Sequence, residues 1–136
     1  PFVARRYSDD GPELRDRRWI SNDIGRMRLG QLEIVGRTDD LVKMGGATIP
    51  LPLIAKHLRE LGAMQDLAVL AREDEEWGHV PIAFVVGCDL PDSTLRQFAA
   101  AAIGRTSIPL DVVRLQSIPL LTNGKIDRQQ LLAMVQ

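Results

Sequence analysis

The sequence has little of several features that mark particular classes of protein. Its single cysteine, Cys88, excludes an internal disulfide and is typical of a reducing compartment, so we expect a cytoplasmic location. Seventeen basic and eighteen acidic residues give a net charge of -1, so no overall field attracts nucleic acid or an anionic membrane. No apolar run approaches the roughly 20 residues that span a bilayer. We therefore expect a globular protein that neither spans a membrane nor binds nucleic acid.

Two further absences limit the kind of site. The two histidines, His57 and His79, do not stand at metal-ligand spacings, so the sequence predicts no metal site. The chain begins Pro-Phe-Val without an initiator methionine, which suggests that it was cut from a longer protein. Its 136 residues allow one real core, or one domain together with a fragment of another.

The composition changes early in the chain. Residues 1–30 are polar and rich in Arg and Asp, with weak hydrophobic periodicity. Short β-prone runs follow at residues 32–35 and 41–44. The polar residues 37–40 between them favour a turn, so the two runs are predicted to pair as a hairpin.

The second half of the chain alternates between strand and helix patterns. Helices are predicted after Pro50, from an N-cap at Asp92 or Ser93, and from Asp127. Buried strands are predicted at residues 67–71, 81–86 and 112–115. This alternation predicts an α+β fold or small α/β sandwich, with helices on a roughly three-stranded sheet and an N-terminal β-hairpin beside it.

A domain boundary is predicted near Asp39. Residues 1–38 lack a core of their own, whereas residues 39–136 have the size and pattern of one compact domain.

One lysine stands at a turn ahead of the last predicted helix. Residues 119–128 read PLLTNGKIDR, and Asn123-Gly124 supplies two residues that tolerate positive φ, so the backbone can reverse there. Asp127 stands at the N-cap position with a glutamine three residues later, as in a capping box. Lys125 is therefore presented on a defined loop, where its charge suits a phosphate or a carboxylate. The alternative is an exposed turn lysine without such a role.

Three segments occur in order along the chain. Residues 19–26 read WISNDIGR, residues 36–46 read GRTDDLVKMGG, and the lysine segment follows at 119–128. They resemble the W-x-x-T-G-D-x-G, G-R-x-D-D-x-x-K-x-x-G and P-x-T-x-x-G-K-x-x-R elements of adenylate-forming enzymes. These enzymes are the acyl-CoA synthetases, the nonribosomal adenylation domains and the luciferases. The chain resembles the C-terminal domain of this superfamily, most of all that of acyl-CoA synthetases.

The resemblance implies an ATP-dependent carboxylate–CoA ligase that forms an acyl-adenylate and then an acyl-CoA thioester. Its ligands would be ATP or AMP, a carboxylic acid and CoA, with Mg²⁺ expected for the full enzyme but not bound by residues of this chain. The phosphate-binding loop and the acyl pocket of the family belong to a large N-terminal domain that these residues do not include. Residues 1–38 would be the tail end of that domain, and the chain alone is expected to be inactive.

Four residues take roles in the reaction from the resemblance. Lys125 would bridge the substrate carboxylate and the α-phosphate during adenylation. Asp39 would be the hinge about which the small domain swings between two catalytic states, since a residue between elements can absorb a large backbone rotation. Gly45 and Gly46 would let pantetheine pass close to the backbone, although glycines required by the hairpin itself explain them equally well.

Two more residues would contact the nucleotide. By the resemblance Asp23 binds the ribose of AMP, and Arg37 reaches the ribose or the phosphate. The alternatives are a turn-forming aspartate and a surface ion pair of Arg37 with a neighbouring aspartate. The segment before Asp23 departs from the family pattern, because Ser21-Asn22 replaces Thr-Gly.

More than one thiol is a candidate to accept the acyl group. A Gly-Gly pair in the hinge element is more typical of acyl-CoA synthetases, which favours CoA. An adenylating enzyme that loads the phosphopantetheine of a carrier protein is the alternative, and a stand-alone module without catalysis is another.

Overall fold

The computed structural model describes residues 23–135, so the Arg-rich start and the tryptophan of the first signature lie outside the described residues. The described part opens with a first hairpin, in which β1 (Asp23–Arg28) pairs antiparallel with β2 (Gln31–Arg37). Leu29 and Gly30 form its turn, with φ of 51° and 79°. Two consecutive positive φ angles match the twist of the flanking strands, so a turn this short can close the hairpin.

A second hairpin follows directly. A 3₁₀ turn at Thr38–Asp40, here called the hinge turn, leads into β3 (Leu41–Met44). This strand pairs antiparallel with β4 (Ala47–Pro50) across Gly45-Gly46. The two hairpins are thus consecutive units joined by the hinge turn.

The predicted pairing of residues 32–35 with residues 41–44 is wrong. The two runs lie in β2 and β3, which belong to separate two-stranded sheets. A tight hairpin turn needs positive φ, and glycines with that conformation stand at Gly30 and Gly45. The polar residues 37–40 form the connection between the hairpins instead.

The rest of the described chain is built on a three-stranded sheet. β5 (Asp66–Asp74) pairs antiparallel with β6 (Gly78–Val86), and β6 pairs in parallel with β7 (Asp111–Leu115). The accompanying helices are α1 (Leu51–Arg59), α2 (Asp92–Ala102) and α3 (Arg128–Ala133). The predicted α+β class, with a three-stranded sheet and flanking helices, is confirmed.

The central strand β6 carries buried apolar residues on both faces, because residues two apart on a strand point to the same side. Ala83 and Val85 belong to a cluster with α1, α2 and the second hairpin. Ile82 and Phe84 belong to a cluster on the other face, which includes Leu131 of α3. The sheet therefore separates two helical layers.

The second hairpin is part of this core. Met44 of β3 and Ile49 of β4 are buried in the same cluster as α1 and α2. Burying each such side chain contributes roughly 1.5–3 kcal/mol. The turn at Gly45-Gly46 is therefore held in a fixed place relative to the sheet.

Two helix starts test the predicted caps. Helix α2 has Pro91 at its N-cap and no side-chain cap there, so the predicted cap at Asp92 or Ser93 is wrong. Helix α3 begins as predicted, because the Asp127 carboxylate accepts the Gln130 N–H at 3.0 Å. Between residues 23 and 135, no helix is both long enough and apolar enough to cross a membrane.

Candidate functional site

The loop before α3, residues 119–127, is here called the lysine loop and is a turn held by its own backbone. The Leu121 N–H donates to the Lys125 carbonyl at 2.7 Å. The Gly124 N–H donates back to the Leu121 carbonyl at 2.9 Å, which closes a β-turn. Lys125 is exposed at this turn.

Asn123 stabilises the lysine loop through its side chain. Of the two residues that tolerate positive φ here, Gly124 adopts it with φ of 80°, whereas Asn123 does not. Asn123 instead accepts a hydrogen bond from the Lys125 N–H at 3.1 Å through its side-chain oxygen. Such a bond to the backbone two residues on is a common turn device. The backbone of Lys125 is fixed, while its side chain extends into solvent.

The base of the lysine loop is closed by further contacts. Leu120 and Ile126 form a β-bridge, and the Asp127 N–H donates to the Pro119 carbonyl at 2.9 Å. Because Asp127 also caps α3, the loop and the helix form one continuous hydrogen-bonded unit.

An ion pair joins this unit to the hinge turn. The Arg128 guanidinium donates to a carboxylate oxygen of Asp40 at 2.9 Å. Asp40 ends the 3₁₀ turn that contains Asp39, the predicted hinge residue. The fold thus brings the segments of Lys125 and Asp39 together. Arg128 and Asp40 both lie within the sequence motifs, but no contact between them was predicted.

Asp23 and Arg37 face each other across the first hairpin. They are direct partners in the register of β1 and β2, and both are exposed. Arg37 is also the last residue of β2, immediately before the hinge turn. A carboxylate that can accept from vicinal hydroxyls stands here beside a guanidinium that can grip a phosphate.

The Gly45-Gly46 turn lies against Trp77. The Gly45 N–H donates to the Trp77 carbonyl at 2.9 Å, and a Cβ at Gly45 would stand 3.1 Å from the indole ring. A Cβ at Gly46 would meet no atom within 4 Å, but its φ is 79°. Glycine is therefore required at position 45 by the close indole ring and by the positive φ. At position 46, within the described chain, the positive φ alone requires it. Sequence reasoning missed Trp77, and its available signal was a tryptophan at the end of an acidic turn.

Asp74 holds the turn that carries Trp77. Its Oδ1 accepts the Trp77 N–H at 3.0 Å and the Glu76 N–H at 3.1 Å, while its Oδ2 accepts from Arg72 at 3.0 Å. These donors, the Trp77 N–H foremost, hold the pKa of Asp74 below its usual range. The ionised carboxylate is thus the form that the fold favours.

Asp74→Asn is expected to lower the stability of the chain at pH 7, and this loss is expected to become smaller in acid. The asparagine keeps an oxygen for the two N–H donors but loses the charge that faces Arg72. Since the folded pKa of Asp74 is lowered, its stabilisation is complete above the unfolded value of about 4 and is lost as the pH falls through the folded value. Urea unfolding at pH 7 and pH 3 measures it, with the exposed Asp89→Asn as the control. Equal losses at both pH values would contradict the assignment.

The residues that the sequence predicts for nucleotide and thiol binding are exposed charged groups and a glycine turn. Lys125, Asp23 and Arg37 are exposed charged groups that fit a phosphate and a ribose, while the bare backbone at Gly45-Gly46 fits a narrow thiol arm. Within the described range 23–135, no group of three or more His, Cys, Asp or Glu side chains is arranged to hold a metal ion.

Comparison with known proteins identifies the family of the chain. The family model for the AMP-binding enzyme C-terminal domain matches residues 54–125, more than half of the chain. A dimodular nonribosomal peptide synthase of Bacillus subtilis is 34% identical over 133 residues, which cover 96% of this chain and 5% of that protein. The chain thus spans a small part of the curated relatives that it matches.

Solved structures show the same fold in larger proteins. A fatty acyl CoA synthetase of Mycobacterium tuberculosis superposes with a TM-score of 0.68 at 23% identity, covering 89% of this chain and 25% of that one. NpsA of Klebsiella oxytoca, solved with 3-hydroxyanthranilyl-AMSN, gives 0.68 at 26% identity, covering 85% and 23%. With its sheet, its hairpins and its lysine loop, the chain belongs to the family of AMP-binding enzyme C-terminal domains of the adenylate-forming superfamily.

Proposed function

We propose that this chain is the mobile C-terminal domain of an ATP-dependent ligase that adenylates a carboxylic acid and passes the acyl group to a pantetheine thiol. The observation that carries the proposal is the lysine loop, which presents Lys125 on a fixed backbone joined to the hinge turn. The family membership supports the adenylating chemistry. The whole enzyme's activity is part of the proposal, since the chain covers about a quarter of the matched structures.

In the first half-reaction Lys125 acts by charge and position. A carboxylate oxygen of the substrate attacks the α-phosphorus of ATP, and the bond to pyrophosphate breaks. Negative charge develops on the oxygens around the phosphorus, and an ammonium placed between the carboxylate and the phosphate stabilises it. The lysine loop supplies that group on a backbone that needs no rearrangement.

In the second half-reaction the Gly45-Gly46 turn acts by leaving space. The thiol of pantetheine attacks the acyl carbonyl, the bond to AMP breaks, and the thiol proton is released. A narrow arm can pass close to the backbone where no Cβ projects, and Gly46 has open space at that position. Trp77 would flank the same passage, because its ring lies against Gly45.

The hinge turn would separate two bodies of the enzyme. We place residues 1–38 with the large N-terminal domain and residues 39–136 in the mobile domain, with the rotation at Asp39. The first hairpin supports this division, because three large apolar side chains stay 60% to 68% exposed on it: Met27, Leu32 and Ile34. A large domain packed on that face would cover them. In that setting Asp23 and Arg37 contact the ribose and phosphate of the nucleotide beside the hinge.

Two thiols remain as candidates to accept the acyl group, and a different observation favours each. The curated relatives at 34% identity include a dimodular nonribosomal peptide synthase of Bacillus subtilis and tyrocidine synthase 2 of Brevibacillus parabrevis. This favours phosphopantetheine on a carrier protein. The Gly-Gly pair in the hinge element favours free CoA.

The acceptor is tested with the full-length enzyme that carries this chain. Pyrophosphate exchange with a panel of carboxylic acids first identifies a substrate. The enzyme then receives that acid with CoA, with a holo carrier protein, or with the apo carrier that lacks the thiol. We expect pyrophosphate exchange and a thioester on one of the two thiol acceptors. The absence of acid-dependent exchange across the panel would contradict the adenylating function and favour a stand-alone module.

A further inference from the structure

We propose that Arg128 and Asp40 are positioning residues, whose ion pair makes the lysine loop follow the hinge turn as one body. The inference rests on the proposed function and adds to it how Lys125 keeps its place during domain rotation. Neither residue needs to touch a substrate for this role.

The loop side of the pair is rigid up to Lys125. Arg128 is the first residue of α3, and Lys125 stands three residues before it in the hydrogen-bonded lysine loop. The Asp127 cap and its bond to the Pro119 carbonyl leave little freedom between the guanidinium and the lysine. A displacement of Arg128 therefore moves Lys125 with it.

The hinge side of the pair is ordered as well. Asp40 ends the 3₁₀ turn, which closes through a hydrogen bond from the Leu41 N–H to the Thr38 carbonyl. Its side chain is 20% exposed, against 60% for Arg128, so the carboxylate is the more fixed partner. The pair thus joins segments 88 residues apart in the sequence.

The space beneath the pair is not filled by packed side chains. A cleft of about 170 Å³ is lined by both members of the pair together with Leu51, Ala55 and Ile126. Apolar contact between the hinge turn and the lysine loop is incomplete at this cleft. Among the described residues the Arg128–Asp40 bond is a direct polar link across it, which adds to the core packing of Leu131 in fixing the lysine loop relative to the hinge turn.

A positioning role and a stabilising role of the ion pair differ in the size of their effects on rate and on folding. Exposed ion pairs contribute little to folding. By contrast, a misplacement of a catalytic group by about 1 Å can cost roughly 100-fold in rate. Loss of the pair should therefore act on turnover far more than on unfolding.

The test uses Asp40→Asn, Arg128→Gln and the double variant in the full-length enzyme. We expect each single change to lower kcat for pyrophosphate exchange about tenfold or more, with KM for ATP changed by less than about threefold. The double variant should be no slower than the worse single one, because both changes break the same link. The unfolding midpoint should shift by less than about 3 °C.

The matched control is the exposed ion pair between Arg114 of β7 and Asp92 of α2, 2.7 Å apart, which includes no residue of the lysine loop or the hinge turn. Arg114→Gln should leave kcat unchanged. An equal effect of Arg114→Gln and Arg128→Gln, additive losses in the double variant, or a raised KM for ATP at unchanged kcat would each overturn the positioning role. A wild-type enzyme without pyrophosphate exchange would instead refute the proposed function, so the two failures are distinguishable.

Discussion

Lys125→Ala in the full-length enzyme is expected to slow pyrophosphate exchange by about 100-fold or more, the usual cost of removing one preorganised group that stabilises developing charge. The loop itself should survive the change, because its hydrogen bonds involve the Lys125 backbone and the Asn123 side chain. Thioester formation from supplied acyl-adenylate should change by less than about threefold, which is under 1 kcal/mol of barrier. We therefore expect the adenylating step to be the one that depends on the ammonium.

Lys56→Ala is the matched control for this variant, since it removes an exposed lysine from α1 without altering the lysine loop. Its pyrophosphate exchange should equal that of the wild type. Equal rates for Lys125→Ala and the wild type would remove Lys125 from the reaction and leave the alternative of an exposed turn lysine.

Gly46→Leu is expected to have the opposite pattern. A Cβ at Gly46 meets no atom of the described chain within 4 Å, so a side chain there is free to occupy the space that we assign to the thiol arm. Thioester formation should fall by about 100-fold, because the thiol can no longer reach its attack position. Pyrophosphate exchange should stay within about threefold of wild type.

The backbone cost of this change needs its own control, because leucine at φ of 79° is strained. Gly104→Leu imposes the same kind of strain, since Gly104 has φ of 68° and also has open space at its Cβ. If Gly104→Leu slowed thioester formation as much as Gly46→Leu, strain would explain both, and the passage at Gly46 would be contradicted.

Much of the fold could be predicted from the sequence because its strands differ clearly in composition. Residues 81–86 are apolar throughout and form most of the central strand β6, which has buried neighbours on both faces. The strand predicted at residues 67–71 extends in the structure to Asp74. Apolar periodicity could not find that extension, because its residues 72–74 are charged and join the strand by pairing with residues 78–80 of β6.

The strand partners in the two hairpins could not be predicted from the sequence either. Residues 32–35 and 41–44 have equally suitable β patterns, and composition alone does not select a partner for either. Register follows from the turns, and the turn at Leu29-Gly30 places a leucine at positive φ, which is unusual outside glycine and asparagine. Gly30 permits the turn, but nothing about Leu29 indicates a positive φ there.

The candidate site could also be predicted only in part. The motifs named Lys125, Asp39 and Gly46, and local chemistry explains the loop or turn that holds each one. The partners that hold these segments in place could not be predicted, because Trp77 meets Gly45 and Arg128 meets Asp40 only through the fold. A contact between residues so far apart in sequence leaves no trace in the pattern on either side.

The most direct test of the account measures both half-reactions on the same preparations of Lys125→Ala and Gly46→Leu full-length enzyme. One assay follows pyrophosphate exchange, and the other follows thioester formation from supplied acyl-adenylate. The account predicts crossed results, with Lys125→Ala deficient in the first assay and Gly46→Leu deficient in the second. Equal losses of both activities in both variants, or no loss in either, would contradict a domain that serves the two steps with different surfaces.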